Sequence, residues 1–189
     1  MKTLKICPNY FQTILLLLII IVATFWLSTE AAATCKPRGR LRAKKHLPKH
    51  CGECCKPGHF YTTFKCSPQV SHHTKATLTL NSFAKGGDGG GPSACDNKFH
   101  SDNTPVVALS TGWFNHRKRC LKKITIFGNG RRVKAMVVDE CDSTDGCDGE
   151  HGFQPPCRNN IVDASKAVWK ALEVPENDWG EMEIFWADA

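Results

Sequence analysis

The sequence predicts a small, mainly β barrel, stapled by disulfides and carrying one short helix. Three observations point there. Short segments alternate polar and apolar residues at the period of a strand, and turn residues separate them. A single stretch carries helical periodicity. And the 189 residues include 11 cysteines, a density that marks an exported disulfide scaffold rather than a cytosolic enzyme. The length is about one domain's worth, which excludes a large multidomain enzyme. With 41% hydrophobic and 23% charged residues, disorder over the whole chain is also excluded.

The N-terminus reads as an export leader. Lys2 and Lys5 precede an apolar run from Ile14 to Leu27, followed by Ala31, Ala32 and Ala33, the pattern of a signal peptide cleaved after Ala33. A run of that length spans roughly 21 Å as a helix, short of the roughly 30 Å of a bilayer core, so stable membrane insertion is not expected. Cleavage removes Cys7 and leaves Cys35, Cys51, Cys54, Cys55, Cys66, Cys95, Cys120, Cys141, Cys147 and Cys157. Their even number allows complete pairing into disulfides, with the connectivity open.

Residues 34–68 form a basic, cysteine-rich arm, with nine Lys and Arg against one acid, Glu53. The barrel is expected over 69–189. Lys75–Asn81 alternates as a strand, Val106–Leu109 is a short apolar strand, and Ile124–Phe127 joins Val133–Val138 through Gly128-Asn-Gly130 as a hairpin. Ser165–Leu172 is the helix, because Ala164, Val168 and Leu172 recur at four-residue spacing; Asp163 or Ser165 is placed to cap it. Glu181–Trp186 closes the chain as another alternating strand. Between these lies Lys85-Gly-Gly-Asp-Gly-Gly-Gly-Pro92, which lacks the Gly-Lys-Ser/Thr and helix of a phosphate loop. It is either a flexible surface loop or one that shapes a groove.

Charge is divided along the chain. The stretch 103–138 has no acid and holds Arg117, Lys118, Arg119, Lys122, Lys123, Arg131, Arg132 and Lys134, whereas Asp139, Glu140, Asp142, Asp145, Asp148 and Glu150 follow directly. Such a dipolar surface steers acidic partners. The basic runs lack a nucleic-acid motif and interleaved aromatics, so nucleic acid is not expected as a partner. Metal is not expected either. Cys51-x-x-Cys54 has no second ligand pair at finger spacing, and the aspartates after Cys141 do not follow the alternation of a calcium loop.

Several long runs resemble the plant kiwellins, or ripening-related proteins. They are Cys54-Cys-Lys-Pro-Gly58, Tyr61-Thr-Thr-Phe-Lys-Cys-Ser-Pro68, residues 76–92, Val107-Ala-Leu-Ser-Thr-Gly-Trp113, Val137-Val-Asp-Glu-Cys-Asp142 and Pro155-Pro-Cys-Arg-Asn-Asn-Ile-Val-Asp163. The resemblance implies a six-stranded double-psi β-barrel of the barwin and expansin kind, secreted to the apoplast or cell wall and tied to ripening and defence. It implies no cofactor, and it brings the family's known capture of a secreted fungal chorismate mutase. Two departures stand out. Larger kiwellins carry a further cysteine-rich module before the Cys-Lys-Pro region, and their neutral loop after Trp113 is here Asn115-His-Arg-Lys-Arg-Cys120.

Two functional readings follow. As a non-enzymatic binder and monomer, the chain would hold a secreted pathogen protein or an anionic cell-wall polysaccharide through surface loops. Trp113, Phe114, His116, Arg117 and Arg119 are the candidate contact residues, with Gly87, Asp88 and Gly89 of the glycine loop beside them. Trp113 is equally placed to be a core residue. As an enzyme, it would use Asp139 and Asp163, which are similar in position to two acidic segments of expansins. Glycoside hydrolysis needs two carboxyls, about 5–5.5 Å apart for retention or 6.5–9.5 Å for inversion. A wall protein held only by its basic arm is a third possibility, one that moderate salt would disperse.

Overall fold

The computed structural model describes residues 35–44 and 54–189. The expected leader over 1–33 lies outside them, as does Cys51. Eight strands are present: β1 (Gly39–Arg42), β2 (Phe60–Thr63), β3 (Thr74–Leu80), β4 (Val106–Ser110), β5 (Lys123–Gly128), β6 (Arg131–Cys141), β7 (Ile161–Ala164) and β8 (Glu181–Asp188). A single-turn helix α1 (Thr111–Phe114) follows β4, α2 (Lys166–Ala171) follows β7, and a 3-10 turn spans Glu176–Asp178. No helix among the described residues is long and apolar enough to cross a membrane.

Six strands close into a barrel in the order β3-β7-β4-β6-β5-β8. Two pairings are parallel, β3 with β7 and β4 with β6, and the rest are antiparallel. This is the double-psi barrel that the sequence resemblance implies. Closure leaves no open sheet edge, and strand alternation sends one side of each strand inward. Leu78, Val107, Leu109, Ile124, Ile126, Val137, Val162, Ile184 and Trp186 fill the interior and are essentially inaccessible. Each such side chain contributes about 1.5–3 kcal/mol by leaving water.

Two buried serines lock the crossing of β4 and β7 in reciprocal fashion. Ser110, at the end of β4, donates its hydroxyl to the Arg158 carbonyl at 2.6 Å and accepts from the N–H of Ile161, where β7 begins. Ser165, just past the end of β7, donates to the Thr104 carbonyl at 2.7 Å and accepts from the N–H of Val106, where β4 begins. Ser165 occupies the cap position of α2, but its hydroxyl is spent on β4 and makes no capping bond. Asp163 does not cap the helix either; its carboxylate turns to β3.

The hairpin expected at Gly128-Asn-Gly130 forms as a two-residue turn between Gly128 and Arg131. Asn129 and Gly130 both have positive φ, 48° and 67°, as this turn requires. The Asn129 amide donates to the Leu172 and Glu173 carbonyls, both at 3.0 Å. The turn thereby satisfies orphan carbonyls at the end of α2.

The described part of the arm is ordered against the barrel. β1 and β2 pair antiparallel, and Ala43, Cys55 and Cys147 form a small core with Leu41 and Tyr61 beside it. The bridges are Cys35–Cys66, Cys55–Cys147, Cys95–Cys120 and Cys141–Cys157, and Cys54 is also disulfide-bonded. Cys55–Cys147 ties arm to barrel. Gly112 marks where the arm crosses α1: a Cβ there would stand 2.1 Å from the Ser67 nitrogen and 2.4 Å from the Cys66 carbonyl carbon.

Candidate functional site

The candidate acidic pair, Asp139 and Asp163, comes from one row on the outer barrel wall. Ala108 of β4 is in register with Asp163 of β7 on one side and with Asp139 of β6 on the other. Asp163 is in turn opposite Thr79 of β3. A bulge places Asp139 here: Val107 pairs with Val137, but Ala108 pairs with Asp139, so Val138 is the extra residue. Without it, strict alternation would turn Asp139 toward the core; bulges commonly re-aim a side chain in this way. Val138 instead joins Phe83, Val106 and Ala108 in a second apolar cluster, separate from the barrel interior.

The two aspartates sit in different surroundings. The Asp139 Oδ1 accepts from the N–H of Ala94 at 2.9 Å and of Glu140 at 2.8 Å. Burial raises its pKa, against those two bonds and one from the Ser93 hydroxyl. Asp163 is only partly accessible, and burial of its carboxyl pushes its pKa up to about 6, aided by the negative charges of Asp139 and Asp88 and opposed by hydrogen bonds from Thr79 and Asn81. Asp163 is therefore the group that exchanges a proton near neutrality, and Asp139 is a backbone anchor.

Asp88, a candidate contact residue, belongs to the glycine loop, which is folded rather than loose. Gly87 N–H donates to Ala84, Gly89 to Ser82 and Gly90 to Gly87. A Cβ on Gly87 would lie 2.3 Å from the Ser82 hydroxyl, and one on Gly89 would lie 2.9 Å from the Ser82 carbonyl. Close packing on Ser82, more than freedom of φ, demands glycine at both positions. Ser82 is fixed by Asp102, which pairs with Lys166.

A second loop is joined to the segment that follows this one. Asn115, His116 and Arg117 all have positive φ, 50°, 51° and 67°, a run that side-chain-bearing residues rarely adopt and that costs energy. The Cys95–Cys120 disulfide clamps this loop to the segment three residues past the glycine loop, and Arg117 donates to the Cys95 carbonyl at 3.3 Å. His116, Arg117 and Lys118 are exposed on it. Near its base, Thr111 donates to Glu140 at 2.6 Å and accepts from the Ser143 N–H. Burial raises the pKa of Glu140, with His116 acting in the opposite sense.

Three expected contact residues are not at this surface. Trp113 and Phe114 are 1% and 2% exposed. Trp113 donates its indole N–H to the Pro68 carbonyl at 2.7 Å and meets Trp186 edge-on, with ring centroids 5.1 Å apart. The helical turn of α1 folds both rings back under the barrel end, so neither can anchor a partner. Arg119 is also structural: it grips Asp188 through two bonds of 2.9 and 3.0 Å, donates to the Trp113 carbonyl, and lies over the Trp186 ring.

Thr79, Asn81, Thr111 and Glu140 were not singled out from the sequence. The first two sit on the outward phase and end of a predicted strand, which was the available signal. Among the described residues no group of three or more His, Cys, Asp or Glu side chains could hold a metal ion.

The sequence profile of the kiwellin-1 family matches residues 22–189. This chain belongs to the kiwellin family. It is 52% identical over 163 residues to the ripening-related protein grip22 of Vitis vinifera, covering 86% of this chain and 68% of that one. To the kiwellin of Actinidia chinensis var. chinensis it is 51% identical over 156 residues, 82% of this chain and 67% of that one. Among solved structures, the apo expansin of Clavibacter michiganensis has 19% identity and a TM-score of 0.45, over 62% of this chain and 50% of that one. In this kiwellin the segment after the glycine loop is bonded to Asp139, at the end of the outer row, and bridged to Cys120, just past the basic loop 115–118.

Proposed function

We propose that this kiwellin is a secreted, monomeric, non-enzymatic binding protein that holds a pathogen-secreted protein in the cleft between its two clamped loops. One observation carries the reading: the Cys95–Cys120 bridge and the Arg117 bond to Cys95 fix the glycine loop and the loop 115–118 as one rim. A rim fixed before contact loses little entropy on binding. Exposed Arg117 and Lys118 give it positive charge on one side, and Asp88 gives it negative charge on the other. The resemblance adds the partner class, a chorismate-mutase-type effector. The test is calorimetric titration of a secreted fungal chorismate mutase, with its activity followed in parallel. Charge reversal at Arg117 and Lys118 is expected to weaken binding at least about tenfold. Unchanged affinity would move the binding face elsewhere.

A hydrolytic reading rests on Asp163, whose pKa of about 6 suits a general acid. Against it, Asp139 is committed to two backbone N–H groups and is poorly placed to serve as the second carboxyl. Sugar release from glucan, xylan, chitin or pectin, abolished by Asp163→Asn, would establish it over the binding reading.

A further inference from the structure

On the barrel wall opposite this cleft, one row crosses four strands. Arg132 of β6 is in register with Phe127 of β5, Phe127 with Phe185 of β8, and Phe185 with Lys75 of β3. The strands β5 and β8 stand across the closed barrel from β7 and β4. Two aromatic residues thus occupy the middle of the row and a cation stands at each end. The row spans roughly 14 Å, three strand spacings.

The imidazole of His73 extends the aromatic surface. It stacks on Phe185 with centroids 4.1 Å apart and planes at 19°, and it meets Phe127 at 5.9 Å. Beside the rings runs an open groove of about 750 Å³, lined by Phe127, Phe185, Arg132, Glu183 and the Gly128–Gly130 turn. Lys75 is paired with Glu183 and Arg131 with Glu173, all four well exposed. Arg132 and Lys134, two residues apart on the outward phase of β6, are exposed, and neither is in an ion pair among the described residues. Phe127 and Phe185 are half-buried and His73 is exposed, so ring edges and the imidazole reach the groove beside two unpaired cations, a combination that the barrel's own packing does not require.

We infer that this wall is a second binding surface, separate from the loop cleft, for an anionic polysaccharide of uronic-acid type. A pyranose ring has a flat face of C–H groups that packs on an aromatic surface, and hydroxyls at its edge that reach polar groups. A uronate adds a carboxylate, which an arginine fork recognises through two parallel bonds. Two adjacent rings with the unpaired Arg132 at one end of the row, and Lys134 beside it, offer one apolar sugar face and the adjoining carboxylate a place to sit together. A protein partner fits less well, because its anchoring side chains need an enclosed, desolvated pocket, and this groove is open along the barrel wall.

The test is affinity electrophoresis and sedimentation of the oxidised protein with de-esterified polygalacturonate, fully methyl-esterified pectin, neutral glucan and polyglutamate. Binding to polygalacturonate is expected to exceed binding to the esterified and neutral polymers and to polyglutamate by at least about tenfold. Phe185→Ala and the Arg132→Gln, Lys134→Gln double variant are each expected to weaken it about tenfold, while titration of the cleft partner is unaffected. The double variant touches only exposed side chains, so it decides the matter even if Phe185→Ala unfolds. Absence of retention, equal binding of neutral glucan, equal binding of polyglutamate, or undiminished binding by the double variant would each overturn the inference. A folded Phe185→Ala variant that binds like the native protein would reduce the surface to charge-only adhesion and overturn it too.

Discussion

Asp139 and Asp163 flank Ala108 in register from opposite sides, one across a parallel pairing and the other across an antiparallel one. Two strand spacings put their backbones about 9.5 Å apart. The charge of Asp139 helps to raise the pKa of Asp163, yet their roles diverge. Asp139 holds the segment Ser93–Cys95 to β6 through the Ala94 N–H, beside the Cys95 N–H bond to the Val138 carbonyl. Asp163 holds only side chains, those of Thr79 on β3 and Asn81 just past its end.

The raised pKa of Asp163 has a signed consequence for stability. From its ordinary 3.8 to about 6, the folded protein binds more protons than the unfolded chain, so stability falls as pH rises through that window. Above it the ionised carboxyl remains a standing cost. Asp163→Asn keeps an acceptor for Thr79 and removes the charge. It is expected to raise stability by about 1–3 kcal/mol at pH 7.5 and by little at pH 4. Denaturant midpoints at the two pH values check this; an equal change at both would show that the charge is not the cause.

Asp139→Ala should act in the other direction. It leaves the Ala94 and Glu140 N–H groups without their acceptor, at about 1–3 kcal/mol, and unpins the end of the glycine loop. Hydrogen exchange should accelerate at residues 93–95 and leave the interior of β5 and β8 protected. Unaltered exchange at Ala94 would count against the anchoring role.

Gly112→Ala tests the seam between arm and barrel. Its Cβ would collide with the Cys66 and Ser67 backbone, which cannot yield as a flexible side chain would. We expect about 1–3 kcal/mol of destabilisation, with faster proteolysis between residues 54 and 68. Native-like proteolysis would mean that the arm can shift cheaply.

Much of this arrangement was legible in the sequence, and the exceptions have physical causes. β3, β5 and β8, and β6 up to its bulge, alternate because each has one face in the barrel and one in solvent. β7 shows no such alternation: its four residues Ile161–Ala164 carry buried side chains on both faces around a single acid. β1 offers only Leu41 as an inward residue. The site was half legible. Asp139 and Asp163 were found by resemblance, but no local pattern reveals the bulge at Val138 that brings both to Ala108. For Trp113 the sequence leaves core and surface equally open, because an apolar run precedes it and a basic stretch follows; Arg119 reads as a surface residue because it stands inside that basic stretch. The left-handed run 115–117 reverses the chain, so that only His116, Arg117 and Lys118 remain outside.

The acidic loop after β6 should respond to pH through His151. Its Nδ1 lies 2.7 Å from the Asp148 carboxylate and its Nε2 lies 3.4 Å from that of Asp142. Burial of the ring disfavours its charged form, but Asp148 and Asp142 outweigh this and raise the pKa above 6.5. Asp148 is lowered chiefly by its bond from His151. Asp142 is lowered too, because bonds from Thr144 and Asp145 overcome its burial. A histidine pKa raised by folding contributes its full stability below 6.5 and loses it as pH rises through the folded value. The aspartates contribute above their ordinary 3.8 and lose it as pH falls through their lowered values. The loop is therefore held best in mildly acidic solution and loosens above neutrality, by about 1 kcal/mol for pairs this accessible. Cys147, in the same loop, carries the bridge to Cys55, so the loosening reaches the arm. Hydrogen exchange over residues 142–157, corrected for intrinsic rates, should show less protection at pH 8 than at pH 5.5, and His151→Gln should erase the difference. A pH dependence that survives in His151→Gln would assign it to another group.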